Sequence, residues 1–174
     1  MTRPQYGVTQ SGDPNTTWGK NFVFRTHPNP LHPEDNPSTF QTYLDDRAIP
    51  GGCYFSGGMV KRVPENSATD RPHYHEYLEY LILLSTDPDD EINLGGEFVM
   101  YIDGEKHCYD KACVVVIPAG VWHCPFYFTR VDRPILFYSC SNGPRLKQHL
   151  SHSRWPEWNH LADPPENENI IWDD

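Results

Sequence analysis

Residues 71–79 read Arg-Pro-His-Tyr-His-Glu-Tyr-Leu-Glu, a stretch that brings His73, His75 and Glu79 close together in the chain. Side chains alternate between the two faces of a β-strand, so His73 and His75 project to the same side. After a short turn, Glu79 opens the next strand and can project toward the same interior. Two imidazoles and a carboxylate suit Fe(II), Mn(II), Ni(II), Co(II) or Zn(II), so this stretch predicts part of a metal site.

Residues 117–123 read Ile-Pro-Ala-Gly-Val-Trp-His. This order predicts a strand, a Pro-x-Gly turn and a histidine that begins the next strand. Nothing in the local sequence makes His123 a ligand. It joins the first stretch only if the two strand-turn-strand segments face each other across a barrel.

The first stretch has the pattern HxHxxxE and the second has the pattern PxGxxH. This pair resembles the two motifs of the cupin superfamily in order, internal spacing and strand-turn-strand context. The resemblance covers roughly residues 57–139. It implies a small jelly-roll β-barrel with one metal ion bound inside, and its ligands by position are His73, His75, Glu79 and His123, hereafter the candidate metal group.

The sequence departs from the cupin motifs at two places. The glycine that usually closes the first motif is replaced by the acidic stretch 85–91, so the segment 85–96 between the motifs is lengthened. This segment is expected to be a solvated insertion or part of a rim over the barrel mouth. Ala112 and Cys113 stand where the second motif often begins with Gly-Asp, in a turn remote from the ligands.

Short runs of β-branched and aromatic residues, bounded by turn residues, predict an all-β chain. The 17 prolines and 12 glycines punctuate these runs. Asp103-Gly104 predicts a two-residue hairpin turn, and residues 145–150 predict a short helix. The predicted strands cover residues 53–63, 73–75, 79–84, 97–102, 106–109, 113–117, 121–128 and 134–140.

We predict an all-β, cupin-type jelly-roll β-barrel built as a single domain. Residues 1–50 form an N-terminal arm that packs on the barrel, and residues 51–142 form the barrel with the metal site. Residues 143–174 form an irregular C-terminal tail of the same domain. The tryptophans of that tail indicate that it packs back onto the barrel or onto a neighbouring subunit.

Charge and composition exclude several classes of protein. The net charge of −10 and the pI near 5.2 argue against nucleic acid and anionic membranes as partners. No basic region followed by an apolar one opens the chain, so no signal peptide is expected. The five cysteines include no CxxC pair and are expected to be reduced thiols. These features predict a cytoplasmic protein without a membrane-spanning segment.

The predicted barrel leaves an exposed sheet face and exposed edges. Arms such as residues 1–50 commonly cover these surfaces in a partner subunit. We therefore expect a homodimer.

Three residues are candidates for the wall of a substrate pocket. Tyr77 has the same parity as His73 and His75, and Met100 and Trp122 are expected to lie near the metal strands. The alternative is that all three pack in the core, as large apolar side chains usually do.

A cation would help to bind a carboxylate or enolate substrate. Arg62 is the first candidate, with Lys61 and Arg71 as alternatives, since all three are close in sequence to the metal strand. Lysine and arginine side chains usually lie in solvent, which is the competing expectation for each of them.

Three histidines and one glutamate leave open coordination positions on a metal ion. The resemblance implies a metal-dependent enzyme that acts on a small oxygenated metabolite, and a mononuclear Fe(II) dioxygenase is favoured. One alternative is a redox-neutral lyase, isomerase or decarboxylase that uses Mn, Zn or Ni as a Lewis acid. Another is a non-catalytic protein that binds or senses a small molecule. Glu79 is also a candidate proton shuttle.

Overall fold

The computed structural model describes residues 10–11, 13, 15–24, 38–39, 44–46, 50–63, 71–151 and 170–173. Much of the predicted arm and tail, including Trp155 and Trp158, lies outside the described residues. Within the described part, no helix has the length and apolar character needed to cross a membrane.

The described residues form thirteen short strands and a 3-10 turn of helix at Gly19–Asn21. The strands are β1 (Gln10–Ser11), β2 (Val23–Phe24), β3 (Ser38–Thr39), β4 (Phe55–Val60), β5 (His73–Tyr74), β6 (Glu79–Leu84), β7 (Asn93–Ile102), β8 (Glu105–Lys111), β9 (Cys113–Ile117), β10 (His123–Val131), β11 (Ile135–Ser141), β12 (Gln148–Leu150) and β13 (Ile170–Trp172).

Two sheets make up the body of the molecule. One has six strands in the order β13-β12-β5-β10-β7-β8, and the other has five in the order β3-β4-β11-β6-β9. Neighbouring strands are antiparallel except for β12 and β13, which are parallel. Strands distant in sequence lie side by side, as in β5-β10 and β4-β11, which is the connectivity of a jelly roll. The predicted fold class is confirmed.

The predicted hairpin turn between β7 and β8 is confirmed as well. Asp103 and Gly104 both have positive φ, at 46° and 84°. A tight two-residue turn needs this conformation, and glycine adopts it without steric cost.

The hydrophobic core lies between the two sheets because alternate residues of each strand point inward. Leu83 of β6 and Phe98 of β7 are fully buried. The ring of Phe126 in β10 stacks on that of Phe137 in β11, with centroids 4.9 Å apart. Burying one such side chain contributes roughly 1.5–3 kcal/mol. This packing sets the distance between the sheets, and the candidate metal group lies in the same interlayer.

The described end of the arm contacts both the barrel and the start of the tail. Leu44 exchanges two backbone hydrogen bonds with Phe55 of β4, at 2.9 and 2.8 Å. The Asp46 backbone N–H donates to the carbonyl oxygen of Pro144 at 3.1 Å, and the Asp46 carboxylate accepts a hydrogen bond from Arg145 at 2.5 Å.

The predicted helix at residues 145–150 is wrong. Gln148–Leu150 is strand β12, and Leu150 lies opposite His73 in the antiparallel pairing with β5. The strand edge of β5 offers backbone partners across its whole length, and that pairing outweighs a weak local helical preference.

The lengthened acidic segment lies away from the barrel mouth, so the expectation of a rim is wrong. Glu79 begins β6, whereas the segment follows the last residue of that strand, Leu84, roughly 17 Å away along a six-residue strand. There Arg133 pairs with Asp87 at 3.4 Å. The segment is an insertion at the end of the sandwich opposite the candidate metal group.

Candidate metal centre

Four buried side chains converge between the two sheets. They are the candidate metal group, and one ligand atom from each lies within 4.8 Å of the others. His73, His75, Glu79 and His123 are 3%, 1%, 6% and 1% exposed. Titratable side chains are rarely buried this deeply unless they share a partner.

Both sheets contribute to the group. His73 in β5 lies directly opposite His123, the first residue of β10, in the six-stranded sheet. Glu79 is the first residue of β6 in the facing sheet. His75 lies just past the end of β5, at the start of the short connection to β6. The HxHxxxE spacing therefore lets one segment of chain place ligands on both sides of the interlayer.

Backbone carbonyl groups fix the tautomer of all three imidazoles. A carbonyl oxygen only accepts hydrogen bonds, so each Nδ1 carries the proton and donates it. The Nε2 atom of each ring is left with a lone pair that faces the centre of the group. The three hydrogen bonds join His73 Nδ1 to the carbonyl oxygen of Arg71 at 2.6 Å, His75 Nδ1 to that of Lys147 at 2.5 Å, and His123 Nδ1 to that of Val121 at 2.9 Å.

Glu79 presents one oxygen to the histidines and the other to a serine. Oε2 lies 3.3 Å from Nε2 of His75 and 3.2 Å from Nε2 of His123. Oε1 accepts a 2.7 Å hydrogen bond from the hydroxyl of Ser139. Burial raises the pKa of Glu79, but positive charge on the facing His123 and His75 lowers it by more, so this pKa lies well below its usual range. Positive charge at the centre of the group thus stabilises the carboxylate, and a bound cation would act in the same way.

Burial lowers the pKa of His73 well below 6.5, and the neighbouring His123 and His75 lower it further. Desolvation disfavours the charged imidazolium because burial removes its hydration, and this outweighs the opposing effects of Glu79 and the Arg71 carbonyl. His73 is consequently neutral at neutral pH and keeps its Nε2 lone pair.

The arrangement fits a divalent cation. Imidazole lone pairs face an ionised carboxylate oxygen at 3.2 and 3.3 Å, and electron-rich atoms this close repel one another unless a positive charge lies between them. Three imidazole nitrogens and one carboxylate oxygen form a donor set suited to several first-row divalent metals. The burial, orientation and charge of the group support a divalent metal.

Tyr77 supports the group from one side. Its ring stacks on that of His75, with centroids 5.0 Å apart and planes 9° apart. Its hydroxyl donates to the Lys147 carbonyl at 3.2 Å and accepts from the Lys147 N–H at 2.8 Å. Burial raises the pKa of Tyr77 to about 12, so the phenol stays protonated. Tyr77 and His75 thus both form hydrogen bonds with the backbone of Lys147.

A further polar side chain reaches the group from β12. The amide Nε2 of Gln148 lies 3.3 Å from Nε2 of His73, and Gln148 is 9% exposed. Because the Nδ1 proton of His73 is directed to a carbonyl, its Nε2 accepts and the Gln148 amide donates. Gln148 is therefore hydrogen-bonded to the atom that would bind a metal.

The two other predicted wall residues lie in different surroundings. Trp122 is half-buried and directly precedes His123, and its ring lies 5.1 Å from that of Tyr74. Met100 is 1% exposed and belongs to the core between the sheets. Trp122 thus contacts Tyr74, which lies between His73 and His75 in sequence and points the other way, whereas Met100 is a core residue.

The structure does not bring Arg62, the first candidate for a pocket cation, to the group. It is exposed and follows Val60, the end of β4, which pairs with Ile135 at the opposite end of the sandwich. Arg71 is 9% exposed, and its carbonyl is the one that accepts from His73. Of the candidate cations, Arg71 is the one beside the group.

Three supporting residues escaped the sequence analysis. Ser139 had a signal, because it is a polar residue at an inward position of the largely apolar strand β11. Lys147 contributes a backbone carbonyl, for which no side-chain pattern exists. Gln148 was hidden because residues 145–150 were expected to be helical.

Comparisons with known proteins concern the fold. No protein-family model matches the sequence, and no curated protein matches it. An oxalate decarboxylase structure has a TM-score of 0.50 at 16% identity, over 80% of this chain and 34% of the other. An oxalate oxidase structure has a TM-score of 0.49 at 18% identity, over 94% and 84%. A cupin protein from Bacteroides fragilis has a TM-score of 0.40 at 20% identity, over 58% and 74%. This chain therefore spans about a third of that decarboxylase.

Proposed function

We propose that this protein, a cupin by its fold and by its candidate metal group, is a metal-dependent enzyme that acts on a small oxygenated metabolite. The observation that carries the proposal is the convergence of three carbonyl-oriented imidazoles on the ionised Glu79 carboxylate. A purely structural interior has no use for four buried titratable groups aimed at one point.

The cofactor we propose is one divalent transition metal ion, with Fe(II) favoured over Mn, Zn, Ni or Co. Bound to this group, such an ion would supply Lewis acidity or, if it is iron, a site for activating dioxygen. A mononuclear Fe(II) dioxygenase is accordingly the activity we favour. A redox-neutral lyase, isomerase or decarboxylase and a non-catalytic binding protein are the alternatives that experiment must separate.

The chain's own residues would hold and orient the reacting partners. The three imidazoles and Oε2 of Glu79 would hold the ion, and the Ser139 hydroxyl donates to Oε1 and keeps it turned away. Arg71, buried beside His73, is the cation best placed to favour an anionic substrate. The lowered pKa of Glu79 favours the ionised form, which is the form that binds a metal ion. Its additional role as a proton shuttle stays a prediction, and full turnover by a Glu79→Gln variant would refute it.

The test begins with elemental analysis of protein purified without added metal. We expect about one transition-metal ion per chain, lost in His75→Ala and kept in His107→Ala, whose histidine lies on β8 outside the group. Oxygen consumption with catechols, thiols and β-diketones then tests the dioxygenase. Turnover under strict anaerobiosis would exclude it and favour a redox-neutral enzyme. No bound metal, with ligand binding unchanged in His75→Ala, would favour the non-catalytic binder.

We also propose a homodimer formed through the outer face of the five-stranded sheet. Sheet faces in water normally carry polar side chains, yet the outward positions of four described strands carry no charge. Leu84, Val114 and Val116 among them are 43%, 51% and 52% exposed. A second copy of the chain is the proposed occupant, because a twofold axis buries the same apolar face on both subunits. The outward residues are Phe55, Gly57, Met59, Tyr80, Ile82, Leu84, Val114, Val116, Leu136, Tyr138 and Cys140.

A further inference from the structure

A cleft of about 380 Å³ opens in the side of the sandwich, between β8 and β9. These strands are the edges of the six-stranded and the five-stranded sheet in the described part of the chain. Ala112 alone joins them, so the two sheets meet at that end and separate toward the other. None of the four residues of the candidate metal group lines the cleft.

The floor of the cleft is made by the core itself. Phe98 and Met100 of β7 lie beneath it and are 0% and 1% exposed, whereas Ile102 of β7 and Val115 of β9 are half-buried and form its apolar surface. Small-molecule sites are typically about 300–1,000 Å³ in volume, and a void of about 150 Å³ already holds benzene. The cleft therefore has room for a substituted ring or a branched aliphatic group, and its floor offers such a group an apolar surface.

The rim is polar on one side only. His107 and Lys111 of β8 line it, facing the valines of β9. Glu105 lies 3.8 Å from His107 and is 82% exposed, so it offsets any positive charge there. Lys111 is then the group that would attract an anionic head, at the end where β8 turns into β9.

Strand register places the other end of the cleft beside the candidate metal group. Ile102 on the floor lies directly opposite His123 in the pairing of β7 with β10. Val115 in the wall lies two residues before Ile117, which lies opposite Glu79 in the pairing of β6 with β9. The cleft thus ends next to a ligand residue in each sheet.

We propose that this cleft binds a small molecule with an aromatic or branched aliphatic body and an anionic head, the body on the floor and the head at Lys111. The far end of that body would lie beside a metal ion, and this part of the inference rests on the proposed function. The binding itself does not depend on metal, so the two can be tested separately.

The binding test uses 6-fluoro-2-naphthoate as the probe, titrated into metal-free protein and followed by ¹⁹F NMR. Val115→Trp places a large ring in the cleft and should weaken binding about tenfold or more. Ile92→Trp is the matched control, because it adds the same ring at a position 69% exposed in the segment after β6. Equal affinity of the wild-type protein and both variants would overturn the proposal.

Lys111→Ala tests the head group without disturbing the core. It should weaken naphthoate binding about two- to fivefold, as expected for an exposed ion pair, and leave the uncharged 6-fluoro-2-naphthalenemethanol unaffected. A parallel loss for both probes would refute the role of Lys111. If no probe binds and Val115→Trp changes the sedimentation coefficient, the cleft is a subunit contact and the proposal fails.

The position of the probe relative to metal is tested by paramagnetic broadening. With Mn(II) added to the protein, the ¹⁹F line of the bound probe should broaden strongly, and with Zn(II) it should not. Binding that is sensitive to Val115→Trp in a protein that takes up no metal would uphold the cleft and refute the proposed function. Metal uptake without probe binding would refute the cleft as a binding site and leave the proposed function standing.

Discussion

The hydroxyl of Ser139 donates a 2.7 Å hydrogen bond to Oε1 of Glu79, and this bond leaves Oε2 turned toward His75 and His123. Ser139 and Glu79 lie on neighbouring strands, β11 and β6, and both point into the interlayer. The orientation of the single anionic ligand is therefore set by a residue outside both sequence motifs.

Ser139→Ala should lower metal affinity about 10- to 100-fold, as loss of a hydrogen bond to a ligand typically does. The carboxylate would be free to rotate, and its Oε1 would be buried without a donor. The measurement is a competition titration with a chelator of known affinity. Ser85→Ala, which removes a hydroxyl at the opposite end of the sandwich, should leave the affinity unchanged. An unaltered affinity in Ser139→Ala would show that the carboxylate is held by other contacts.

Gln148→Leu should raise metal affinity by about 2- to 12-fold. In the metal-free protein the Gln148 amide occupies the lone pair of His73 Nε2, and an intramolecular hydrogen bond contributes about 0.5–1.5 kcal/mol. Leucine has a similar volume and no donor, so the lone pair is released at no cost. The same chelator titration decides the sign. A weaker affinity would mean that Gln148 assists metal binding.

Tyr77→Phe should reduce the free energy of unfolding by about 0.5–1.5 kcal/mol, because the half-buried Lys147 amide loses its acceptor. The stacked ring on His75 would be kept. Urea unfolding of metal-free protein measures the change, with Tyr80→Phe as the control on the outward face of β6. Equal losses in the two variants would assign the effect to the hydroxyl in general rather than to its contact with Lys147.

The stability of the metal-free protein should fall as the pH drops below about 6.5. The folded state keeps His73 neutral because burial lowers its pKa, whereas the unfolded chain takes up the proton near the ordinary pKa. The unfolded state then binds more protons, so the free energy of unfolding decreases by up to about 1.4 kcal/mol per pH unit for this one group. His73→Phe should show a smaller decrease between about pH 7 and about pH 5.5 in urea unfolding with EDTA. An identical decrease would place the effect on other groups.

Ile82→Glu should convert the proposed dimer to monomers, because a charge in the centre of an apolar interface loses its hydration without gaining a partner. Sedimentation velocity measures the change. Thr129→Glu, on an exposed position of the other sheet, should leave the dimer intact. A wild-type protein that is monomeric at all concentrations would refute the homodimer, and the apolar face would then be covered by another part of the chain or by a different partner.

The fold and the four converging residues were predicted on two different grounds. Strand alternation and the turn residues are local, and they indicated that His73 and His75 project to one side and that His123 begins a strand. Nothing local brought His123 to the other three residues. That step rested on the resemblance of the motif pair to the cupin motifs, because the contact joins segments that are distant in sequence.

The elements that were missed depend on contacts between distant segments. Within the predicted helix 145–150, residues 148–150 form a strand because β5 leaves an edge that β12 can pair with. Arg62 was expected near the metal strand on sequence proximity, and a rim over the mouth was one of two expectations for the acidic segment. Both follow the far ends of strands whose opposite ends approach the candidate metal group. Only the pairing of the strands says which end of a strand faces the site.

The carbonyl of Lys147 that orients His75 is separated from that histidine by 72 residues of chain. Both motifs leave the ribosome well before it does. A nascent chain that has been made only as far as β11 would carry all four ligands, yet His75 would lack its orienting partner. The fully oriented group is therefore assembled only once β12 has docked, after all four of its residues have been made.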